Sequence, residues 1–486
     1  MTKTGPCLEP IFGAAGTVDI TPDRPAFLAG YENRSVLAGR VGHRLQASAL
    51  VLADGRGRQQ ALVSLDLLFA GPELTERLRL FAQRELGIDR RNLLLAASHT
   101  HFAPPVDATK PALGAVDRAY LDWLCDRCCT LLSTVARQEK RPVHFRAIRV
   151  PWDGAVYRRR LWWLPHVERR RLAFGGVVMA PARSRATDQG LRLLELLDPR
   201  DGRVALLWSA SCHPTGSPDI AAASSDYVGA VRERLGTQAP MLFLQGFAGD
   251  LRPDVPDRRT REHRMRQALV YGPNFDSFDL PRWEAWIDRL AGAVAAGLDE
   301  LQRRPPAPLT GPLAGALVEV PLRDITAGYD GPPRPVGFQR LRAGAMYDIL
   351  AVSAEPCSML RLLLDDPALW PVGYVGDVFG YWPAEHQRLE GGYEADGFLA
   401  PFNLPGRLRP GLDRIFLNAT KAVAAELARD VAAWPAEASA VDAAGHRALC
   451  DLPGNIGDEH EPAEPIGAMR RWRLGWQHRR HSPGSA

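Results

Sequence analysis

The apolar and polar positions of residues 58–98 follow a strand–helix–strand order. The stretch 58–70, RQQALVSLDLLFA, is an almost continuous apolar run of strand length. The next segment, 71–87, has helical spacing, with Pro72 at a typical helix start and Gly87 at a typical helix end. A second apolar run, NLLLAAS, covers 92–98. This pattern predicts a βαβ unit whose strands are buried on both faces of a sheet.

The same order returns further along the chain. RVALLWSASC reads as a strand, SSDYVGAVRERLG as a helix and MLFLQG as another strand, and a long amphipathic helix is predicted over 280–304. Prolines between 305 and 312 interrupt the pattern, and strand-like runs, a short helix-like run at 357–364 and a final helix at 409–434 follow. The fold class is therefore α/β, with a mixed sheet, helices on both faces and smaller C-terminal subdomain elements. We expect one catalytic domain over 1–435, with a subdomain break near 305–312, and a basic tail of low order over 436–486.

Composition excludes several classes of protein. A formal charge of +4 on 486 residues is too small to indicate a nucleic-acid binder. The N-terminal residues lack the apolar core of a signal peptide, and no window approaches a membrane span, so a cytoplasmic location is expected. Seven scattered cysteines favour a reducing compartment, and those of WLCDRCC fit helix packing better than a zinc knuckle. The oligomeric state stays open.

Polar side chains follow three of the predicted strands. His99 and His101 come after LLLAAS, His213 comes after LLWSASC, and Asp250 follows MLFLQG. Ligands bind at the carboxyl ends of strands in α/β sheets, and residues two apart in an extended segment share a face. Neutral imidazoles are good zinc ligands, although strand-end histidines are also commonly just hydrogen bonded. Glu355, after the run DILAVSA, is either part of such a site or a charge at the start of the next helix.

A series of motifs together resembles one known family. Their order along residues 11–430 is similar to that of the catalytic domain of neutral/alkaline ceramidase-like proteins: AGTVDITPDRPAFLAGYENR, ALVSLDLL, ASHTHFAP, CHPTGSPD with SSDYVG, LQGFAGD, SAEP and GYWPAEHQRLEGGYE. The resemblance implies a zinc hydrolase that uses metal-activated water to cleave the linear amide of an N-acyl compound, either ceramide or another acylated amine. A catalytically silent binding protein of the same fold and a zinc esterase are the alternatives.

The resemblance also implies roles for individual residues. One zinc ion per chain would be held by four side chains: His99, His213, Glu355 and Tyr381. His101 would contact the substrate carbonyl and move a proton, and Arg159 or Arg160 would stabilise the oxyanion. Asp66 and Asp226 would either orient a ligating histidine or serve as local caps and turns.

Two positions depart from the family. Arg252, in GDLRP, stands where the family has a serine, so we expect Arg252 and Asp250 to lie at the substrate site. The guanidinium would bind a carboxylate or phosphate on the substrate, or else form an ion pair with Asp250 or Asp254. The family's asparagine before the arginine is likewise replaced, by Arg158.

Overall fold

A computed structural model describes residues 9–433, apart from 33, 35, 169–170, 186–187, 189 and 201. The predicted basic tail at 436–486 lies outside the described residues. The model confirms the α/β class, with three main sheets and long helices packed against them. No helix among the described residues is long and apolar enough to cross a membrane.

The first sheet contains the predicted βαβ unit. Gln59–Leu65 and Leu93–Ala97 pair in parallel, and the helix Gly71–Leu86 connects them. That helix ends at Gly87, whose φ of 69° is the left-handed conformation that glycine adopts at helix ends. In spatial order the strands are Leu93–Ala97, Gln59–Leu65, Gln46–Ala53, Phe12–Asp19 and Arg141–Pro142. A second helix, Arg118–Arg137, covers the same face and buries Cys125 and Cys128, as predicted.

The second sheet repeats the arrangement. Arg203–Ala210 and Met241–Gln245 are parallel neighbours, and the helix Asp226–Leu235 lies between them in the chain. The complete order is Met241–Gln245, Arg203–Ala210, Gly190–Leu197, His144–Pro151 and Ala307–Pro308. The predicted long helix is present as Leu280–Gln302, and its apolar face packs on this sheet. A further exposed helix spans Arg261–Tyr271.

The third sheet follows the proline-rich stretch at 305–312. Its order is Leu313–Pro321, Pro335–Ala343, Tyr347–Val352 and Trp370–Val372. The last long helix, Leu412–Ala432, covers one of its faces. The run predicted as helix at 357–364 forms a 3₁₀ helix over Ser358–Leu363. The shorter helices are Leu322–Ile325 and Glu385–Glu390, with 3₁₀ turns at Arg90–Asn92 and Pro111–Leu113 and a π turn at Tyr393–Gly397.

Short strand pairs complete the structure. Two of them border the site described below: Ala155–Tyr157 with Leu251–Pro253, and Glu355–Pro356 with Tyr381–Trp382. A long hairpin pairs Arg159–Glu168 with Arg171–Met179. The remaining pairs are Ala26–Phe27 with Leu37–Ala38, Arg40–Val41 with Ala222–Ala223, and Thr326–Ala327 with Arg407–Leu408.

One core joins the three main sheets. Leu62 and Leu94 of the first sheet, Leu207 and Leu242 of the second and Ile349 of the third are all fully buried in a single apolar cluster. Strands enclosed in this way have apolar side chains on both faces, which explains the continuous apolar runs. Because the sheets meet here, the carboxyl ends of strands from different sheets come close together.

Candidate metal-binding centre

His99 is held in a strained and closely packed position. It follows the strand Leu93–Ala97 and has a φ of 67°, a left-handed value that costs a non-glycine residue about 1–2 kcal/mol. Its ring packs against Phe69 and Tyr374, with centroid distances of 5.1 and 4.3 Å. Its Nδ1 lies 3.1 Å from the Leu68 carbonyl oxygen. These contacts fix the ring and direct Nε2 into the centre.

His213 reaches the same point from the second sheet. It follows the strand Arg203–Ala210, and its Nδ1 lies 3.1 Å from the carbonyl oxygen of Ala248. Its Nε2 lies 3.0 Å from Nε2 of His99. Both imidazoles are therefore oriented by backbone carbonyls, the usual means of fixing the tautomer of a ligating histidine.

Glu355 brings a carboxylate from the third sheet. It follows the strand Tyr347–Val352 and begins the short pair in which it stands opposite Tyr381. Its Oε2 lies 3.2 Å from Nε2 of His99 and 3.9 Å from Nε2 of His213. Glu355 is 1% exposed, and this oxygen accepts no hydrogen bond from the described residues.

These three side chains fit a divalent metal ion. A carbonyl oxygen accepts a hydrogen bond from the Nδ1–H group of each imidazole, so each Nε2 presents a lone pair. Two lone pairs and a carboxylate oxygen then face one another at 3.0 to 3.9 Å, an arrangement that is repulsive unless a cation lies between them. Burial, Arg158 and the neighbouring histidines hold the pKa of His213 well below its usual range, so that ring stays a neutral donor.

His101 belongs to the same cluster but differs from His99 and His213 in hydrogen bonding and exposure. Its Nε2 lies 3.3 Å from Nε2 of His99, and the ligand atoms of His99, His101 and His213 all lie within 4.8 Å of one another. Its Nδ1, however, lies against the backbone of Gly30 without a hydrogen bond of normal geometry, and the residue is 8% exposed where the other two are 1% exposed. Burial, His99, Arg158 and Arg34 lower its pKa well below the usual range, and the Gly30 backbone opposes this effect. A ring whose Nδ1 is not fixed by a well-formed hydrogen bond is better suited to proton transfer than to permanent ligation.

Tyr381 lies opposite Glu355 and beside an arginine. Its hydroxyl accepts a hydrogen bond of 3.2 Å from Nη2 of Arg158. Burial and the Glu355 carboxylate raise the pKa of Tyr381 well above its usual value, and Arg158 opposes that rise. Tyr381 is thus a phenol beside Glu355, the position that the sequence prediction assigns to the fourth ligand.

Arg158, which has no assigned role in the sequence prediction, is the arginine that faces this centre. Arg159 points to Glu394 and to the carbonyl oxygens of Gln387 and Gly391 instead, and Arg160 is exposed. Glu394 binds both buried guanidiniums, at 2.7 Å from Nε of Arg158 and 2.7 Å from Nη1 of Arg159. The order of three consecutive arginines does not show which of them is directed to the centre, and here both Arg158 and Arg159 are buried against Glu394.

The other predicted residues occupy supporting positions. Asp226 accepts hydrogen bonds from the backbone amides of residues 216, 217 and 227, and Asp66 binds Arg232, so neither orients a histidine. Asp250 accepts from the Ser358 amide and the Gln387 side chain.

Arg252 forms no ion pair with Asp250 or Asp254. Its guanidinium carbon lies 4.8 and 5.0 Å from the ring centroids of Phe275 and Phe278, while Asp254 binds Arg183. The ion-pair alternative of the sequence prediction is therefore wrong.

Comparison with solved structures shows the fold. The chain superposes on a neutral ceramidase from Pseudomonas aeruginosa with a TM-score of 0.63 and 14% identity, over 86% of this chain and 75% of that one. It is equally similar to a ceramidase complexed with C2, with a TM-score of 0.62, 14% identity, and coverage of 86% and 76%. The neutral ceramidase-like fold predicted from the motifs is confirmed. No family model and no curated relative matches the sequence.

Proposed function

We propose that this chain, which has a neutral ceramidase-like fold, is a zinc-dependent hydrolase that cleaves the linear amide of an N-acyl compound. One observation supports the proposal above others: two imidazole Nε2 atoms 3.0 Å apart face a buried Glu355 oxygen that no described residue satisfies. Glu355 is 1% exposed, and a buried carboxylate oxygen of this kind is stabilised when a cation binds it.

His99, His213, Glu355 and Tyr381 would hold the zinc. When bound there, zinc would polarise the amide carbonyl and lower the pKa of a water molecule. His101 would carry a proton toward the leaving amine, because its Nδ1 forms no hydrogen bond of normal geometry that would fix one tautomer. Arg158, which is anchored by Glu394, directs a positive charge to the Tyr381 hydroxyl and so favours negative charge in this region.

The substrate class follows from the same similarity. Ceramide or another N-acylated amine with an apolar acyl group is the proposed substrate, and an ester of the same acyl group is the comparison that defines bond selectivity. Nucleic acid is not expected as a partner, since the formal charge is only +4 over 486 residues.

Metal content and amide cleavage, measured on the same preparations, test the proposal. The parent protein should contain about one zinc ion per chain and release the free fatty acid from an N-acyl amine. His213→Ala should contain none and have no activity, whereas His263→Ala, on an exposed helix, should match the parent. A parent protein that binds zinc but hydrolyses only the ester would contradict the amide assignment. A parent that binds no metal would contradict the whole proposal.

A further inference from the structure

Arg252 is a partly buried cation for which the described residues provide no anion. It lies at the centre of the strand Leu251–Pro253, between the rings of Phe275 and Phe278 at 4.8 and 5.0 Å. Its side chain forms no hydrogen bond or ion pair with any described residue, and its Nε is buried without a hydrogen-bond partner. Burial lowers its pKa, as expected for a charge that has lost water. Two aromatic faces compensate only part of that loss.

The position of Arg252 connects it to the metal-binding centre. Its strand pairs with Ala155–Tyr157, where Arg252 stands opposite Val156. Arg158 follows this strand and continues its pairing, because its backbone N–H donates to the Asp250 carbonyl oxygen at 2.8 Å, and the Arg158 and Arg252 charges lie within electrostatic range of each other. Arg158 is the residue that donates to the Tyr381 hydroxyl at 3.2 Å.

The electrostatic effects of Arg252 on Tyr31 and Cys212 also place it near the metal-binding centre. Loss of hydration raises the pKa of the Tyr31 hydroxyl, and the Arg252 charge acts against that rise, so the two groups lie within electrostatic range. The Tyr31 ring is 5.0 Å from the ring of His101. The Arg252 charge likewise opposes the rise in pKa that burial causes at Cys212, the residue that precedes His213, so these two groups also lie within electrostatic range. Arg252 therefore lies on the side of the centre where His101 would meet the substrate.

The neighbouring cations already have partners. Arg158 is paired with Glu394, and Arg34 donates to backbone carbonyl oxygens of residues 29, 101 and 220. Of these three guanidiniums, only that of Arg252 forms no hydrogen bond or ion pair with the described residues. A single guanidinium matches a carboxylate in charge and in its two-pronged geometry, whereas a phosphate dianion would call for a second free cation.

We infer that Arg252 binds a carboxylate on the amine part of the substrate, so that the favoured substrates are N-acyl amino acids. The inference rests on the proposed amide hydrolysis and narrows its substrate class. The acyl part is apolar, so the charged group belongs to the amine part. The rings of Phe275 and Phe278 keep water from the guanidinium, which strengthens its attraction for a carboxylate.

A pair of matched substrates tests the inference. An N-acylglycine and its neutral N-acylglycine carboxamide, with the same acyl chain, differ only in the charge. We expect the parent to favour the carboxylate in kcat/KM and Arg252→Ser to lower that preference about 10–100-fold, the usual effect of losing a charge-assisted contact. Arg252→Lys should recover part of it. Arg289→Ser, which removes an exposed arginine 5.7 Å from the Trp152 ring, should leave the preference unchanged.

Binding to a non-hydrolysing variant separates this inference from the reaction itself. In Glu355→Gln, calorimetry should show tighter binding of the N-acylglycine than of the carboxamide, and adding Arg252→Ser should remove the difference. If no amide is cleaved but this binding difference persists, the carboxylate site stands and the proposed reaction fails. Equal preference in the parent and Arg252→Ser, equal binding of both compounds, or tighter binding of a phosphate-bearing analogue would overturn the inference.

Discussion

At the scale of the residue, two buried imidazoles are distinguished by what their Nδ1 atoms contact. Nδ1 of His99 lies 3.1 Å from a carbonyl oxygen, whereas Nδ1 of His101 lies against the Gly30 backbone and forms no hydrogen bond of normal geometry with the described residues. The first ring is fixed as a metal donor, and the second can exchange a proton at either nitrogen. The HTH motif indicated this division only through family resemblance, because two histidines on one strand face look equivalent in sequence.

Alanine substitutions at the two positions should therefore have different effects. His99→Ala should lose the metal and all activity, while His101→Ala should keep about one metal ion per chain and lose about 10²–10⁴-fold in kcat. Metal analysis and kinetics on the same samples give both readouts. Loss of metal from His101→Ala would instead place this ring among the ligands.

In the metal-free protein, the buried Glu355 carboxylate should be less favourable than a neutral side chain of the same size. Its buried Oε2 accepts no hydrogen bond from the described residues, so Glu355→Gln should not destabilise the metal-free protein and should raise its free energy of unfolding by about 1 kcal/mol or more. The same substitution should greatly weaken metal binding. Thermal unfolding in chelator and metal titration measure the two effects. A metal-free variant that melts below the metal-free parent would contradict this account.

At the scale of the element, short strand pairs position side chains of the metal-binding centre that no long strand carries. The parallel pair Glu355–Pro356 with Tyr381–Trp382 sets the carboxylate opposite the phenol. The start of the hairpin strand and the residue before it hold two buried arginines against Glu394. Two-residue strands have no periodicity, so the sequence pattern could not predict them.

Replacing Glu394 should disturb this element strongly. Glu394→Gln leaves the buried Arg158 without a carboxylate and Arg159 with only the Glu390 pair at 3.3 Å, and it should cost about 3–5 kcal/mol of unfolding free energy. Glu426→Gln, which removes an exposed pair with Arg429, should cost less than about 0.5 kcal/mol. Urea unfolding compares the variants. Similar losses in both would contradict the role assigned to Glu394.

The ion pairs of Glu394 with Arg158 and Arg159 should make the stability of the protein depend on acidic pH. Burial alone would raise the pKa of Glu394, but Arg158 and Arg159 hold it below the usual value of 4.5. A lowered folded-state pKa adds stability above about pH 4.5 that is lost as the pH falls through the folded-state value. The parent should lose more stability than Glu394→Gln on acidification below pH 4.5, as urea unfolding across this range would measure. Parallel curves for the two proteins would contradict the pairing.

At the scale of the whole molecule, the centre depends on three sheets that share one core. His99, His213 and Glu355 follow strands of the first, second and third sheets respectively. The apolar runs predicted both βαβ units and the last long helices correctly, because buried strands and amphipathic helices have strong patterns. Strands such as Gln46–Ala53 and Gly190–Leu197 were missed, and so was the convergence of three sheets, which depends on contacts between residues far apart in sequence.

A metal that joins three sheets should stabilise the entire domain. Free zinc at 100 times the dissociation constant adds about 2.7 kcal/mol to a protein that binds it only when folded, which should raise Tm by several degrees. His213→Ala should show no such rise. Calorimetric scans over a zinc titration provide the test, and an equal rise in both proteins would locate the stabilising metal elsewhere.

The most direct test is diffraction from a zinc-loaded crystal, measured on both sides of the zinc absorption edge. This account predicts one anomalous peak, bounded by Nε2 of His99, Nε2 of His213 and the Glu355 carboxylate, with the Tyr381 hydroxyl as the fourth protein donor. A peak at another position, or none in a fully loaded crystal, would contradict it.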